Sequence, residues 1–226
     1  MKISILTLFP EMFKGPFEHS IVKRAQDKNF VKINFVNIRD FGIGRHRVVD
    51  DSPFGGGTGM VLKVDVLYKA IQKTKDKKLN NREQKVFLLG AHGKKFDWNM
   101  ASNFSKLKHL ILVCGHYEGV DERIKNFIDG EISIGDFIVT GGEIPAMLIA
   151  DATIRLLSGV LKEGAATSES FFSNLEHPHY TQPREFNKLK VPNVLLSGNH
   201  KEIKKWRLDQ SIKITSKLRP DLLKKN

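Results

Sequence analysis

Between Ile132 and Pro145 the chain reads Ile-Ser-Ile-Gly-Asp-Phe-Ile-Val-Thr-Gly-Gly-Glu-Ile-Pro. Gly135, Gly141 and Gly142 bracket the apolar run Phe137 to Thr140, which reads as β-rich, and a helix is expected to begin at Glu143. Glycines beside a helix start let the backbone bend sharply and approach a ligand closely, and the helix end itself offers unpaired N–H groups. A second such corner is Cys114-Gly-His-Tyr-Glu-Gly-Val-Asp-Glu-Arg123, and a third is Pro53-Phe-Gly-Gly-Gly-Thr-Gly-Met60. Three glycine corners in one small chain point to a ligand held by backbone atoms.

The rest of the chain supplies the frame for these corners. Lys2 to Phe9 is dense in Ile and Leu and reads as a buried strand, and Val31 to Asn37 alternates with period two. Val64 to Lys75 has helical spacing. Lys85 to Leu89 and His109 to Cys114 are short apolar runs, separated by an expected helix near Phe96 to Leu107. Glu143 to Leu157 is the most apolar helix. Strands alternating with helices predict a mostly parallel sheet covered on both faces.

Composition changes after Gly159. Lys162 to Ser173 is polar and small and reads as a linker, and a helical pattern alone is expected beyond it. Lys73 to Arg82 reads as a solvated charged loop. The domain organisation expected is 1–160 for the α/β part, 161–176 for the linker and 177–226 for a small helical part.

Charge adds to this. The formal net charge is +12, which favours a polyanionic partner. From Asn199 to Asn226 there are seven Lys and two Arg against Glu202, Asp209 and Asp221, so half of the excess sits in the last 28 residues. No apolar run is long enough for a membrane span. The first residues suit a buried strand better than a signal peptide. Cys114 is the only cysteine, so no internal disulfide can form and a reducing cytoplasm is expected.

Generic nucleotide motifs fail. Gly42-Ile-Gly44 would need a glycine at 47, where Arg47 stands, and no GxxxxGK[ST] loop occurs. His177-Pro-His179 lacks a third ligand at metal spacing, so no metal site is expected. The segments GHYEGVDER, SIGDFIVTGGEIPAM, PFGGGTGM, HPHYTQP and SGNHKEIKKWRLDQS together resemble, over nearly the whole chain, the bacterial tRNA (guanine-N1)-methyltransferase TrmD family of the SPOUT superfamily.

The resemblance implies a SPOUT-type α/β fold with a mostly parallel sheet, a C-terminal trefoil knot and a small α-helical C-terminal domain that grips tRNA. It implies a homodimer that transfers the methyl group of S-adenosylmethionine to N1 of guanine 37, with Mg²⁺ a possible participant. Three loops, Leu89 to Gly93, Gly115 to Gly119 and Ile134 to Gly142, are expected to form the cofactor pocket. Its residues would be Leu89, Gly90, Ala91, Gly93, Gly115, Tyr117, Glu118, Ile134, Gly135, Phe137, Val139, Gly141, Gly142 and Pro145. Tyr117, Ile134, Phe137 and Val139 would enclose the adenine, and Glu118 would reach the ribose or the amine.

Guanine N1 is still protonated at neutral pH. Methylating it needs a base for that proton and a donor for the negative charge that grows on O6. The resemblance assigns the base to a linker carboxylate, matched here by Glu169 in Ser168-Glu-Ser-Phe171, and the donor to Arg155. Glu169 is one methylene longer than the family's Asp. Two other departures are the loop Gly90-Ala-His-Gly93, which lacks a common Pro-Gln, and His116 in place of a common Arg. On the substrate side the resemblance points to Asp50, Asp51, Gly59 and Ser170, with Asp50 or Asp51 either on the guanine edge or capping a turn. Arg24, Arg45, Arg47, Lys204, Lys205 and Arg207 suit phosphates, while Trp206 has the spacing of a packing residue. Two other readings stay open: a non-catalytic RNA-binding protein of the same fold, and a SPOUT methyltransferase acting at another RNA position.

Overall fold

The structure, a computed structural model, describes residues 1–166 and 169–223. Thr167 and Ser168 of the expected linker, and Lys224 and Lys225 of the basic tail, lie outside the described residues. The chain divides into two compact units, Met1–Leu161 and Lys162–Asn226.

In the first unit the elements run β1 (Lys2–Thr7), α1 (Ser20–Asp27), β2 (Lys32–Asn37), β3 (Asp50–Asp51), β4 (Val61–Leu62), α2 (Val64–Thr74), β5 (Gln84–Lys95), α3 (Trp98–Phe104), β6 (His109–Cys114), β7 (Gly130–Ser133) and α4 (Glu143–Ile154). Five strands form one sheet in the order β2-β1-β6-β5-β7, and every pairing is parallel. The central strand β6 is buried at all six residues. Alternate side chains of a strand point to opposite faces. Accordingly Leu110, Leu112 and Cys114 join one core cluster with residues of α1, α3 and α4, while Ile111 and Val113 join another with residues of α2. The sheet is therefore covered on both faces, as its unbroken apolar strands require.

The elements differ from the sequence reading where the chain leaves the sheet. Phe137 to Thr140 is not a strand; the strand is Gly130–Ser133, just upstream. The Ser133 hydroxyl donates to the Gly135 carbonyl at 3.1 Å and accepts from the Gly135 N–H at 3.2 Å, so a side chain takes the place of ladder bonds there. Gly135 sits at φ +150 and Ile138 is 83% exposed, so the run has turned out of the sheet. The helix expected over Glu143 to Leu157 ends at Ile154, because Leu156 and Leu157 bond to Thr153 and Ile154 in a tighter last turn. Among the described residues no helix is long and apolar enough to cross a membrane.

Burial inside the five-stranded sheet shifts the titration of His109. The His109 ring is fully buried between Ser4 Oγ at Nε2 (2.9 Å) and Gln84 Oε1 at Nδ1 (2.7 Å). Gln84 Oε1 can only accept, so Nδ1 carries the proton and Nε2 accepts from the Ser4 hydroxyl. Burial, with the nearby Lys2 charge, lowers this imidazole to about 4.

In the second unit a small hairpin, β8 (Glu185–Phe186) and β9 (Leu189–Lys190), precedes α5 (Asn193–Leu196), α6 (His200–Leu218) and α7 (Pro220–Leu223). The expectation of helix alone is thus corrected. The hairpin turn is Asn187-Lys188, both at positive φ (48 and 66), the geometry of the tight two-residue hairpin turn, in which Asn is favoured. Asn199 caps α6 by accepting from the Lys201 and Glu202 N–H groups.

Candidate active site

Three adjacent strands, β6, β5 and β7, end in loops on one edge of the sheet, and a cavity of about 420 Å³ opens there. In open parallel sheets this carboxyl edge is where ligands bind. The cavity is lined by the β5 bulge (Leu89, Gly90, Ala91), the turn after β6 (Gly115, Tyr117, Glu118) and the segment after β7 (Ile134, Gly135, Phe137, Val139, Gly141, Gly142), with Pro145 of α4. Thirteen of the fourteen pocket residues expected from sequence therefore meet around one space.

The exception is Gly93, which does not line the cavity. β5 pairs with β7 at Leu89 and again at Lys94, both opposite Ile132, so residues 90–93 bulge out of the ladder. At the far foot of that bulge a Cβ on Gly93 would enter the backbone of Ile132. Its glycine serves strand packing.

The reasons for the other glycines also differ from expectation. Gly141 is not at positive φ. A side chain there would instead collide with the Glu143 carboxylate and stand 2.8 Å from His116 Nδ1. At Gly142 a Cβ would stand 2.6 Å from Cys114 Cα, and the Gly142 N–H donates to the Gly115 carbonyl at 2.8 Å. The start of α4 is thus laid directly on the end of β6. Positive φ falls on Gly135, Gly119 and, without glycine's freedom, Tyr117 at +60.

Beneath this corner lies a buried polar set. Glu143, 2% exposed, opens α4, where a carboxylate suits the positive end of the helix. Its Oε1 accepts from the fully buried Thr7 hydroxyl at 2.6 Å, and Thr7 Oγ1 accepts from the Phe9 N–H at 2.9 Å. Burial, and then the Glu143 charge, push the Cys114 thiol well up, so it stays neutral and unreactive. His116 stands edge-on to Phe9 (5.0 Å) and Tyr117 (4.7 Å), with Nδ1 buried and unpartnered among the described residues.

Sequence reasoning missed the charged wall of the cavity. Lys125 Nζ pairs with Glu122 at 2.8 Å and Glu131 at 3.3 Å, and all three line the space. The hydrogen bond to Glu122 is the chief cause raising the Lys125 ammonium above its ordinary value. Glu122 lies in the GHYEGVDER segment and Lys125 two residues beyond its end, three residues apart, a spacing that signals such a pair.

The residues expected on the substrate side belong to several elements of the two units. Gly59 is in the third glycine corner, and a Cβ on it would run into the Glu118 side chain, so that corner abuts the cavity wall. Asp50 and Asp51 form β3; Asp51 accepts from Lys63 Nζ at 3.1 Å, which holds its carboxyl below the usual range. Arg155 caps the C-terminal end of α4. Arg24 is exposed near the end of α1, and Arg45 and Arg47 are exposed in the loop before β3. In the second unit Glu169 is half-buried and Ser170 Oγ accepts from the Glu176 N–H at 3.0 Å. Lys204, Lys205 and Arg207 are exposed on α6.

Comparison with known proteins agrees with this arrangement. The family model described as tRNA (Guanine-1)-methyltransferase TrmD matches residues 1–225. A tRNA (guanine-N(1)-)-methyltransferase of Dictyoglomus turgidum is 51% identical over 100% of this chain and 91% of its own length. That of Endomicrobium trichonymphae is 49% identical over the full length of both chains, and that of Staphylococcus epidermidis is 49% identical over 99% of this chain and 91% of its own. By both the family model and these relatives, the chain belongs to the tRNA (guanine-1)-methyltransferase TrmD family.

Proposed function

We propose that the protein transfers the methyl group of S-adenosylmethionine to N1 of guanine 37 of tRNA in the cytoplasm. The observation that carries this reading is the meeting of all three cofactor loops around one cavity, in a chain about half identical over its length to enzymes named for guanine-N1 methylation of tRNA. The backbone groups of 89–91, 115–119 and 134–142 would hold the adenine edge and ribose, Phe137 and Val139 would cover the base, and Glu118 would take a hydroxyl or the amine. Gly59, which abuts Glu118, brings the Pro53–Met60 corner beside this space and suits it to the substrate guanine.

Glu169 would remove the N1 proton and Arg155 would hold the charge on O6. Asp50, Asp51 and Ser170 are assigned to the guanine, and Arg24, Lys204, Lys205 and Arg207 to phosphates. The segment after β7 and α4 would form the trefoil knot, a reading supported by the bond from Gly142 to Gly115. The second unit, 177–226 above all, would grip tRNA. The protein would act as a homodimer: α4 leaves Ile144 50% and Leu148 46% exposed, an apolar face suited to a second copy. Mg²⁺ would be drawn to the cavity by its carboxylates, Glu118, Glu122 and Glu131.

The test is Glu169→Gln, which keeps size but removes the base. A loss of at least about 10²-fold in methyl transfer with cofactor affinity intact is expected. Near-normal turnover would reassign the base to Asp50, Asp51 or Glu176.

A further inference from the structure

The second unit holds a cavity of its own, about 340 Å³, within the size range of ligand sites. His177, His179 and Tyr180 contribute rings to it, and Leu195 and Ile203 contribute apolar surface. The two histidine rings lie 4.5 Å apart. Trp206, half-buried and not itself part of the lining, lies 6.4 Å from His177 and 6.3 Å from Tyr180, within aromatic contact range. Tyr180 nevertheless remains 50% exposed, a held ring with an open face.

Two cations complete the lining, Arg184 and Arg207. Among the described residues neither guanidinium is in an ion pair, although acidic groups stand nearby: Glu185 pairs with Lys190, and Glu176 lies 3.5 Å from His179. No carboxylate lines the cavity. Open π-faces, apolar surface and two unpaired guanidiniums in one small space match a flat heterocycle joined to a phosphate. A single-stranded nucleotide has that chemistry.

We propose that this cavity binds one unstacked base of the tRNA, stacked on Tyr180, with its phosphate on Arg184 and Arg207. The site is separate from the methyl-transfer cavity and rests on the reading of tRNA as substrate. It gives the second unit a seat for one nucleotide, in addition to the diffuse attraction of the α6 lysines.

The test uses the full-length protein and an unmodified tRNA transcript, with binding measured over a range of salt concentrations. Tyr180→Ala is expected to weaken binding about 5- to 150-fold, the worth of one stacked base, without changing the salt slope. Tyr180→Phe keeps the ring and is expected to bind as the parent does. Arg184→Ala should lower the slope of log affinity against log salt by about 0.7–0.9, the signature of one lost phosphate contact. S-adenosylmethionine affinity, read in the other unit, should stay unchanged in all three.

An independent reading comes from Trp206 emission in Trp98→Phe protein, which is expected to change as tRNA is added. Parent-like tRNA binding by Tyr180→Ala, or constant Trp206 emission at saturating tRNA, would overturn the proposal. A parent protein with no measurable tRNA affinity would overturn the tRNA reading itself, a distinguishable outcome.

Discussion

Gly142→Ala adds one methyl group where α4 meets β6. The new carbon would stand 2.6 Å from Cys114 Cα and 2.9 Å from both Cys114 Cβ and Gly115 N. Carbon atoms rest at about 3.5–4.0 Å, so roughly 1 Å of separation must be found. Cys114 cannot supply it, because it ends the central strand and is 1% exposed. The helix must retreat instead, and Ala146, Ile149 and Ala150, all fully buried, retreat with it. Overpacking of this kind costs about 1–3 kcal/mol. At about 2–4 °C per kcal/mol for a chain of this size, the midpoint of thermal unfolding should fall by about 2–12 °C. The same shift stretches the 2.8 Å bond from Gly142 to Gly115 and opens the cavity edge. Cofactor affinity should fall at least about tenfold, equivalent to 1.4 kcal/mol. Calorimetric titration with S-adenosylmethionine, beside a thermal melt, measures both. A variant with parent-like affinity and a midpoint within about 1 °C would refute the argument that this contact shapes the cavity.

Thr7→Val keeps shape but leaves the buried Glu143 carboxylate without its 2.6 Å donor and the Phe9 N–H without its acceptor; denaturant unfolding should show a loss of about 2–4 kcal/mol, and Thr7→Ser should recover most of it. His109 is lowered to about 4 in the folded chain against about 6.5 when unfolded, so the unfolded state binds more protons between these values. Its contribution is complete above about pH 6.5 and falls by up to about 3 kcal/mol as pH drops toward 4; replacing His109 should flatten stability over that window in pH-dependent unfolding. Should each linker of the proposed dimer serve the partner's cavity, a verified heterodimer of Gly141→Val and Glu169→Gln chains would regain up to about half the parental activity in a methyl-transfer assay. Complete inactivity of that heterodimer would place cavity and base in one chain.

The strands were legible because burial on both faces writes itself as unbroken apolar runs, as in His109 to Cys114, which matches β6 residue for residue. Two of the three glycine corners, 114–123 and 132–145, meet at the cavity and the third abuts its wall at Glu118, but the physical reasons for these glycines were not legible. Sequence offers no distance from Gly141 to Glu143, nor from Gly142 to Cys114, so backbone freedom stood in for lack of space. The run Phe137 to Thr140 has strand propensity yet no neighbour to pair with, and pairing is a tertiary fact. The β8–β9 hairpin escaped notice because its strands are only two residues long and its Asn187-Lys188 turn lacks the usual glycine. The Glu122–Lys125–Glu131 wall was half legible: the first pair is local, within one 3-10 turn, but Glu131 arrives from strand β7.

The most direct test of the proposed activity is to locate the transferred methyl group. Purified protein, S-adenosylmethionine labelled in the methyl group and an unmodified tRNA transcript with guanine at 37 should yield label at a single nucleotide, recovered as N1-methylguanine at position 37. A transcript with adenine at 37 should take up none. Label at another nucleotide or on a ribose, or no transfer by protein that binds both cofactor and tRNA, would contradict the account.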